Sequence, residues 1–164
     1  PEAIADANMK MDRCLRAGAL AMGADVDIVT IPGYLPMINN ETMMDLFKAI
    51  AVGLVGESAV SVQSSRRNRG GSTDMGDLSH LMPVLHPYTG AATGAGHGAD
   101  YLIRDYEQAV VRPAKAMAMM AIELLSDGAA KARKVLEDSP ARMTKKEYLS
   151  LQRQRLSREL YEGR

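Results

Sequence analysis

The sequence predicts a mixed fold in which helices alternate with short strands. Residues 2–22 carry apolar side chains at roughly helical spacing, among them Met11 and Leu15. Residues 26–29 (Val-Asp-Ile-Val) alternate apolar and polar side chains, as a half-buried strand does. The stretch from Asp105 to Ser126 is rich in Ala, Met and Leu and predicts the most regular helix of the chain. The chain therefore combines helices with at least one strand.

Glycine, proline and asparagine set the boundaries of the first elements. Gly23 is predicted to end the first helix. The two prolines and the glycine of Ile31–Pro36 exclude regular helix, and we expect a domain junction there. Asn40 is a favourable N-cap for a helix that Gly56 ends. A short strand is predicted at Val60–Gln63.

The second half of the chain is predicted from similar signals. Met82–Tyr88 is flanked by prolines and should be extended, and Pro113 would kink the Asp105–Ser126 helix if it lay in its interior. Thr144 and Glu147 have the spacing of a capping box. We therefore predict that residues 140–164 form a polar, exposed helix that runs to the C-terminus.

Composition limits the classes of function. The 164 residues are 46% hydrophobic and 24% charged, and their formal net charge is zero. Such a balance predicts no nucleic-acid or anionic-membrane partner. No apolar run approaches the ~20 residues of a membrane-spanning helix. The single cysteine, Cys14, excludes an internal disulfide and is typical of a reducing compartment, so we expect a cytoplasmic protein.

A glycine-rich polar segment is the first candidate for chemistry. Its glycines allow backbone N–H groups to converge on an anion, and its hydroxyl groups add donors. The alternative is an ordinary helix N-terminus capped by Ser, Thr or Asp, which composition alone favours. The segment reads Gly70-Gly71-Ser72-Thr73-Asp74-Met75-Gly76-Asp77.

Three histidines follow this segment. His80 follows a predicted helical turn, and we predict a structural role for it. His86 stands between Leu85 and Pro87, where a strand end can direct it into a cleft. His97 lies in a loop of small residues that leaves its imidazole accessible. Imidazole serves as a metal ligand or as an acid and base, but a zinc site needs at least three protein ligands.

The order of these motifs resembles the C-terminal block of aminobenzoyl-glutamate hydrolases and related amidohydrolases of the aminoacylase/carboxypeptidase family. The similar stretches are residues 71–79 (Gly-Ser-Thr-Asp-Met-Gly-Asp-Leu-Ser), Pro83, residues 86–88 (His-Pro-Tyr), and His97. Upstream, residues 17–24 and 32–36 resemble the end of that family's inserted lid and the return into its catalytic domain. The resemblance covers residues 1–127.

The resemblance implies an α/β fold, namely the C-terminal portion of a zinc-peptidase-like catalytic domain with a twisted sheet and flanking helices. Residues 1–30 would be the end of an α+β lid or peptidase dimerisation domain, and residues 31–139 the C-terminal part of the catalytic domain. The full-length parent would be a homodimer that holds two zinc ions and hydrolyses amide bonds of N-acyl amino acids or dipeptide-like substrates. Since the chain starts without Met and within a predicted helix, we expect it to be a fragment of that enzyme.

The resemblance also assigns residues. His97 matches the last metal ligand, although the residue after it is Gly98 where the family commonly has Ser or Thr. Ser72, Thr73 and Asp74 match pocket-lining positions, and His86 is a further substrate-binding candidate. The family's other ligands, an early His-x-Asp and a Glu-Glu pair, do not occur here, so no catalytic residue is assigned to this chain.

Two interpretations follow from this assignment. The first is a fragment of a metallopeptidase-like hydrolase that is inactive alone. The second is a non-catalytic fold or protein-interaction module derived from the same family, for which the polar C-terminal helix would be the docking element. An additional hypothesis gives the loop bearing Arg66, Arg67 and Arg69 a role in attracting a substrate carboxylate, although a solvated basic loop is the simpler explanation.

Overall fold

A computed structural model describes residues 2–62 and 72–164, except for the side chain of Glu2. The helices are α1 (Glu2–Met22), α2 (Glu41–Val55), α3 (Met75–Leu81), α4 (Arg112–Asp138) and α5 (Lys145–Arg155). The strands are β1 (Asp25–Thr30), β2 (Ala92–Thr93), β3 (Leu102–Ile103) and β4 (Ser157–Glu162). A 3-10 turn spans Glu57–Ala59, and a π-helical turn spans Glu107–Val111.

The described residues form two compact units that are interleaved along the chain. Of the described residues, the first unit takes 2–37, 72–81 and 142–164, and the second takes 38–62 and 82–141. These units do not coincide with the contiguous ranges 1–30, 31–139 and 140–164. The assignment of those ranges to a lid domain and a catalytic domain stays a prediction.

In the first unit, α1 and β1 form where the sequence predicts them. Gly23, in the left-handed region at φ 61°, ends α1, and the Ala24 N–H donates to the Ala19 carbonyl oxygen at 3.0 Å. β1 pairs antiparallel with β4, with Asp25 opposite Glu162 and Thr30 opposite Ser157.

The prediction of a helix running to the C-terminus is wrong. The capping box of Thr144 and Glu147 is present and begins α5, but the helix ends at Arg155 and β4 follows. A helix that is charged nearly all round has little apolar surface to bury. Pairing with β1 gives the last residues backbone partners and the bidentate ion pair of Arg158 with Asp27. A second bidentate ion pair joins Glu159 of β4 to Arg16 of α1.

In the second unit, α2 and α4 pack around a small apolar core. Asn40 caps α2 by accepting from the Met43 N–H at 2.8 Å, and Gly56 ends the helix at φ 83°, as predicted. The buried core residues are Ile50, Ala116 and Met120, and half-buried Met43, Leu46, Phe47, Leu54, Leu85 and Leu124 pack against them.

The remaining predictions for the second unit are partly confirmed. Pro113 lies in the first turn of α4, but the backbone before it is already helical, because the π-helical turn Glu107–Val111 leads directly into α4. The irregular turn expected near Pro113 is therefore present, as a π-helical turn that precedes the proline. The backbone of α4 leaves helical geometry at Ser126–Ala129. Residues 60–62 form no strand, and Gln63 lies outside the described residues. No helix in the described part of the chain has the length and apolarity to cross a membrane.

Candidate functional site

The Ser-Thr-Asp block (Ser72–Asp74) lies immediately before α3 and is tied to its first turn. The Thr73 hydroxyl oxygen accepts from the Met75 N–H at 3.3 Å, and the Thr73 carbonyl accepts from the Gly76 N–H at 2.9 Å. The Asp74 carbonyl accepts from the Asp77 N–H at 3.0 Å. The side chains of Ser72 and Asp74 are exposed. Thr73 therefore serves the helix start, whereas Ser72 and Asp74 present polar groups to solvent.

The second half of the motif makes structural contacts within the first unit. The Asp77 carboxylate accepts from the Leu35 N–H and from the Tyr148 hydroxyl, both at 2.8 Å. Ser79 is buried, and its hydroxyl donates to the Gly76 carbonyl at 2.5 Å. Sequence reasoning missed this network because its partners are 42 and 71 residues from Asp77.

Tyr148 is polarised by its two side-chain neighbours. Gln152 Nε2 donates to the Tyr148 hydroxyl oxygen at 3.3 Å, and this bond lowers the pKa of Tyr148. The hydrogen bond to Asp77, partial burial and the negative charge of Asp77 act in the opposite direction and leave the pKa of Tyr148 above its ordinary value. Tyr148 therefore stays protonated at neutral pH and acts as the donor to Asp77.

His80 has the structural surroundings that its position predicts. Its Nε2 lies 3.0 Å from the Pro36 carbonyl oxygen, which can accept from the protonated nitrogen. The His80 carbonyl accepts from the N–H groups of Arg142 and Met143 at 3.0 and 3.1 Å. His80 thus connects the end of α3 to two other segments of the first unit.

His86 lies in the second unit on the extended segment after Met82. Its backbone N–H donates to Asn39 Oδ1 at 2.8 Å, and its half-buried ring packs edge-on against Tyr88, with 5.2 Å between ring centroids. Asn40, next to Asn39, donates through its N–H to the Val84 carbonyl at 2.9 Å. The segment is therefore held against the start of α2 by two consecutive asparagines.

His97 lies in the loop that joins β2 to β3. It has a left-handed backbone at φ 65°, and its side chain is exposed. The Gly98 N–H closes a turn onto the Ala95 carbonyl at 2.8 Å, and a Cβ at Gly98 would lie 2.5 Å from Asp100 Oδ1. Any larger residue at position 98 would require a shift of the Asp100 side chain. The backbone next to His97 is therefore tightly turned, and the imidazole of His97 is exposed.

The described residues do not by themselves form a metal site. Nowhere in residues 2–62 and 72–164 do three His, Cys, Asp or Glu side chains converge in a way that would hold a metal ion. The Ser-Thr-Asp block belongs to the first unit, and His86 and His97 belong to the second. Within the described part of the second unit, no hydrogen bond or ring contact joins these two histidines. The loop with Arg66, Arg67 and Arg69 lies outside the described residues.

Comparison with known proteins shows similarity to peptidases. The chain is 34% identical over 126 residues to the Xaa-Arg dipeptidase of Mus musculus and 29% identical over 122 residues to that of Homo sapiens. Each match covers 71% of this chain but 28% of the relative, so the chain spans less than a third of the length of these curated relatives. No protein-family profile and no solved structure matches the chain. At a coarse level, the chain is related in sequence to peptidases that are named for dipeptide substrates.

Proposed function

We propose that this chain is part of a longer zinc-dependent amidohydrolase or peptidase that hydrolyses the amide bond of a dipeptide-like or N-acyl amino acid substrate. The observation that carries the proposal is the similarity to two Xaa-Arg dipeptidases over 71% of the chain. The order of the Ser-Thr-Asp block, His86 and His97 adds support from the motifs. A dipeptide that ends in arginine is the first substrate to test, because the names of both relatives specify it.

In this proposal His97 supplies one metal donor from an exposed loop. Neutral imidazole is a common zinc ligand, but a catalytic zinc site takes three protein ligands. The described residues bring no three such donors together, so the proposal takes the remaining donors from the rest of the longer protein. The 164 residues alone are therefore proposed to be inactive.

The exposed polar groups of this chain are proposed to bind substrate in the longer protein. Ser72 and Asp74 face solvent beside the start of α3, and Thr73 fixes their backbone. His86 is held by Asn39 and Tyr88 and presents a half-buried imidazole. Hydroxyl, carboxylate and imidazole groups can orient the amide and the charged ends of a small peptide.

The same proposal extends to fold and assembly. Residues 31–139 would complete a zinc-peptidase-like α/β catalytic domain, and residues 1–30 would belong to a lid that makes a homodimer contact. The α1–β1 arrangement, a helix followed by a strand, is what the lid assignment requires of residues 1–30. A cytoplasmic location remains part of the proposal and rests on the single exposed Cys14.

The test is hydrolysis by the complete natural protein that contains these 164 residues. Dipeptides that end in Arg, dipeptides that end in a neutral residue, and N-acyl amino acids are assayed with added zinc, after chelation and after zinc is restored. We expect turnover of at least one class, its loss on chelation and its recovery with zinc. The 164-residue chain, assayed in parallel, should show none.

Two results would contradict this proposal. Turnover that survives complete removal of the metal would exclude a zinc-dependent reaction. No turnover of any class by a folded, zinc-loaded protein would favour the alternative, a non-catalytic interaction module derived from the same family.

A further inference from the structure

The two carboxylate oxygens of Asp77 connect separate parts of the first unit. Oδ1 accepts from the Leu35 N–H at 2.8 Å, in the segment that follows β1. Oδ2 accepts from the Tyr148 hydroxyl at 2.8 Å, in the second turn of α5. A carboxylate that accepts two hydrogen bonds in fixed directions cannot rotate without losing one of them. Asp77 is thereby held at both oxygens.

Asp77 belongs to the turn that carries the Ser-Thr-Asp block. Its own N–H donates to the Asp74 carbonyl at 3.0 Å, and the neighbouring Gly76 N–H donates to the Thr73 carbonyl at 2.9 Å. These two hydrogen bonds attach the backbone of the block to the first turn of α3, so the block moves when that turn moves. Whatever fixes Asp77 also fixes the direction in which Ser72 and Asp74 face solvent.

The surroundings of Tyr148 limit the alternatives open to its hydroxyl. Gln152 Nε2 donates to the hydroxyl oxygen at 3.3 Å, so the hydroxyl hydrogen is left for Asp77. Gln152 Oε1 is buried without a partner among the described groups. His80 anchors the other end of α3, through Pro36, Arg142 and Met143. The Tyr148–Asp77 bond is thus the contact from α5 to the first turn of α3, next to the block.

We propose that Asp77 and Tyr148 are positioning residues that orient the Ser-Thr-Asp block toward the substrate. The proposal rests on the proposed function, which gives Ser72, Thr73 and Asp74 their substrate-binding role. Neither Asp77 nor Tyr148 needs to touch the substrate, because both act through the backbone of residues 73–77. The C-terminal helix α5, which composition alone would assign to a solvated surface, thereby contributes to the candidate site.

The first test is Tyr148→Phe in the complete natural protein. The Phe ring keeps the packing of α5 but leaves Asp77 Oδ2 without its donor. We expect KM for the dipeptide to rise up to about 10-fold, because binding must then restore the position of the block, at a cost no larger than one hydrogen bond to a charged group. The kcat should stay within about two-fold of wild type, because binding and not chemistry is affected. Tyr106→Phe, the same change at an exposed tyrosine of the second unit, is the matched control and should leave both constants unchanged.

The second test is rescue at Asp77 by a conservative change. In Asp77→Asn, the amide oxygen still accepts from Leu35 and the amide nitrogen can donate to the Tyr148 oxygen. We expect this variant to retain KM within about three-fold of wild type and Asp77→Ala to raise it about 10-fold or more. A purely structural role predicts instead that both variants lose active protein at constant KM.

Hydrogen exchange separates this inference from the proposed function, because it needs no substrate. In Tyr148→Phe, the amides of Met75, Gly76 and Asp77 should exchange about 10-fold faster, and in Tyr106→Phe they should not change. If exchange is faster in Tyr148→Phe but the wild-type protein hydrolyses no dipeptide, the coupling between α5 and the block is retained and the proposed function is refuted. Unchanged exchange, or an unchanged KM in an active enzyme, would overturn the positioning role.

Discussion

Gly76 lies where two backbone segments of the first unit meet. A Cβ built on Gly76 would collide with the carbonyl group of Leu35, and the Asp77 side chain next to it binds the Leu35 N–H. Residues 71–79, which resemble the family's sequence block, therefore divide into two groups. Ser72 and Asp74 face solvent, whereas Gly76, Asp77 and Ser79 hold α3 in place.

The close approach of the Leu35 carbonyl to Gly76 predicts that even an added methyl group at position 76 destabilises the protein. Gly76→Ala should lower the free energy of unfolding by about 1–3 kcal/mol, because backbone atoms must shift to admit the methyl group. Gly53→Ala is the control, since nothing lies within 4 Å of a Cβ at this exposed position in α2. It should raise the free energy of unfolding by about 0.5–1 kcal/mol, because alanine favours a helix interior. Denaturant unfolding of both variants measures the difference, and shifts of the same sign would contradict the close approach.

Ala129 occupies a conformation that L side chains seldom adopt. In the break of α4, Asp127, Gly128 and Ala129 all have left-handed backbone angles, with φ 63° at Ala129. A left-handed non-glycine residue costs about 1–2 kcal/mol, part of which glycine would recover. We expect Ala129→Gly to raise the free energy of unfolding by about 0.5–1 kcal/mol and Ala130→Gly, in the following helical turn, to lower it by a similar amount. Equal effects would show that the break is not left-handed in solution.

At the scale of secondary-structure elements, the helix boundaries that depend on residues close in sequence were predicted from the sequence. The start of α2 at Asn40, its end at Gly56 and the capping box of α5 each follow from residues a few positions apart. β4 was missed because its stability depends on β1, more than 120 residues earlier in the chain, and on ion pairs such as Arg158 with Asp27. For the candidate site, exposure of His97 followed from the small residues around it, whereas the role of Tyr148 requires a contact that no local pattern reports.

The ion pairs between β4 and its neighbours predict an acid-sensitive contribution to stability. The hydrogen bond from Arg158 lowers the pKa of Asp27, and the hydrogen bond from Arg16 lowers that of Glu159. Groups whose pKa is lowered by folding stabilise the protein above their unfolded-state pKa values, here ordinarily 3.8 and 4.5. That contribution is lost as pH falls through the lowered values.

The measurement compares wild type with the double variant Asp27→Asn, Glu159→Gln. At neutral pH and low salt the variant should unfold at a lower Tm than wild type, by a few degrees at most because exposed pairs contribute little. At about pH 3 the gap between the two Tm values should be smaller than at neutral pH, because the stabilisation by both carboxylates declines as pH falls from their ordinary pKa values toward the lowered ones. About 1 M salt at neutral pH should also reduce the gap. A gap that is the same at both pH values would show that the pairs do not form.

For the molecule as a whole, the candidate site residues are divided between the two compact units. His97 lies on an exposed loop of the second unit, and the Ser-Thr-Asp block lies in the first. The chain spans less than a third of the length of the dipeptidases it resembles, and its described residues bring no three metal donors together. The proposed contribution of this chain is one metal donor and several substrate-binding groups, and the proposal places the other metal donors in the rest of a longer protein.

The last prediction separates the three histidines by their surroundings in the complete natural protein. His97→Ala should lower the zinc content per chain and remove most turnover, because a catalytic zinc site has few ligands to lose. His86→Ala should keep the metal but lower the rate. His80→Ala should keep both and lower stability by about 1 kcal/mol, the contribution of one hydrogen bond to the Pro36 carbonyl. Metal analysis is read beside turnover and Tm for each variant. A His97→Ala protein with full zinc content and normal turnover would remove the only metal donor assigned to the described residues, and the proposed role of this chain in a zinc enzyme would then rest on sequence similarity alone.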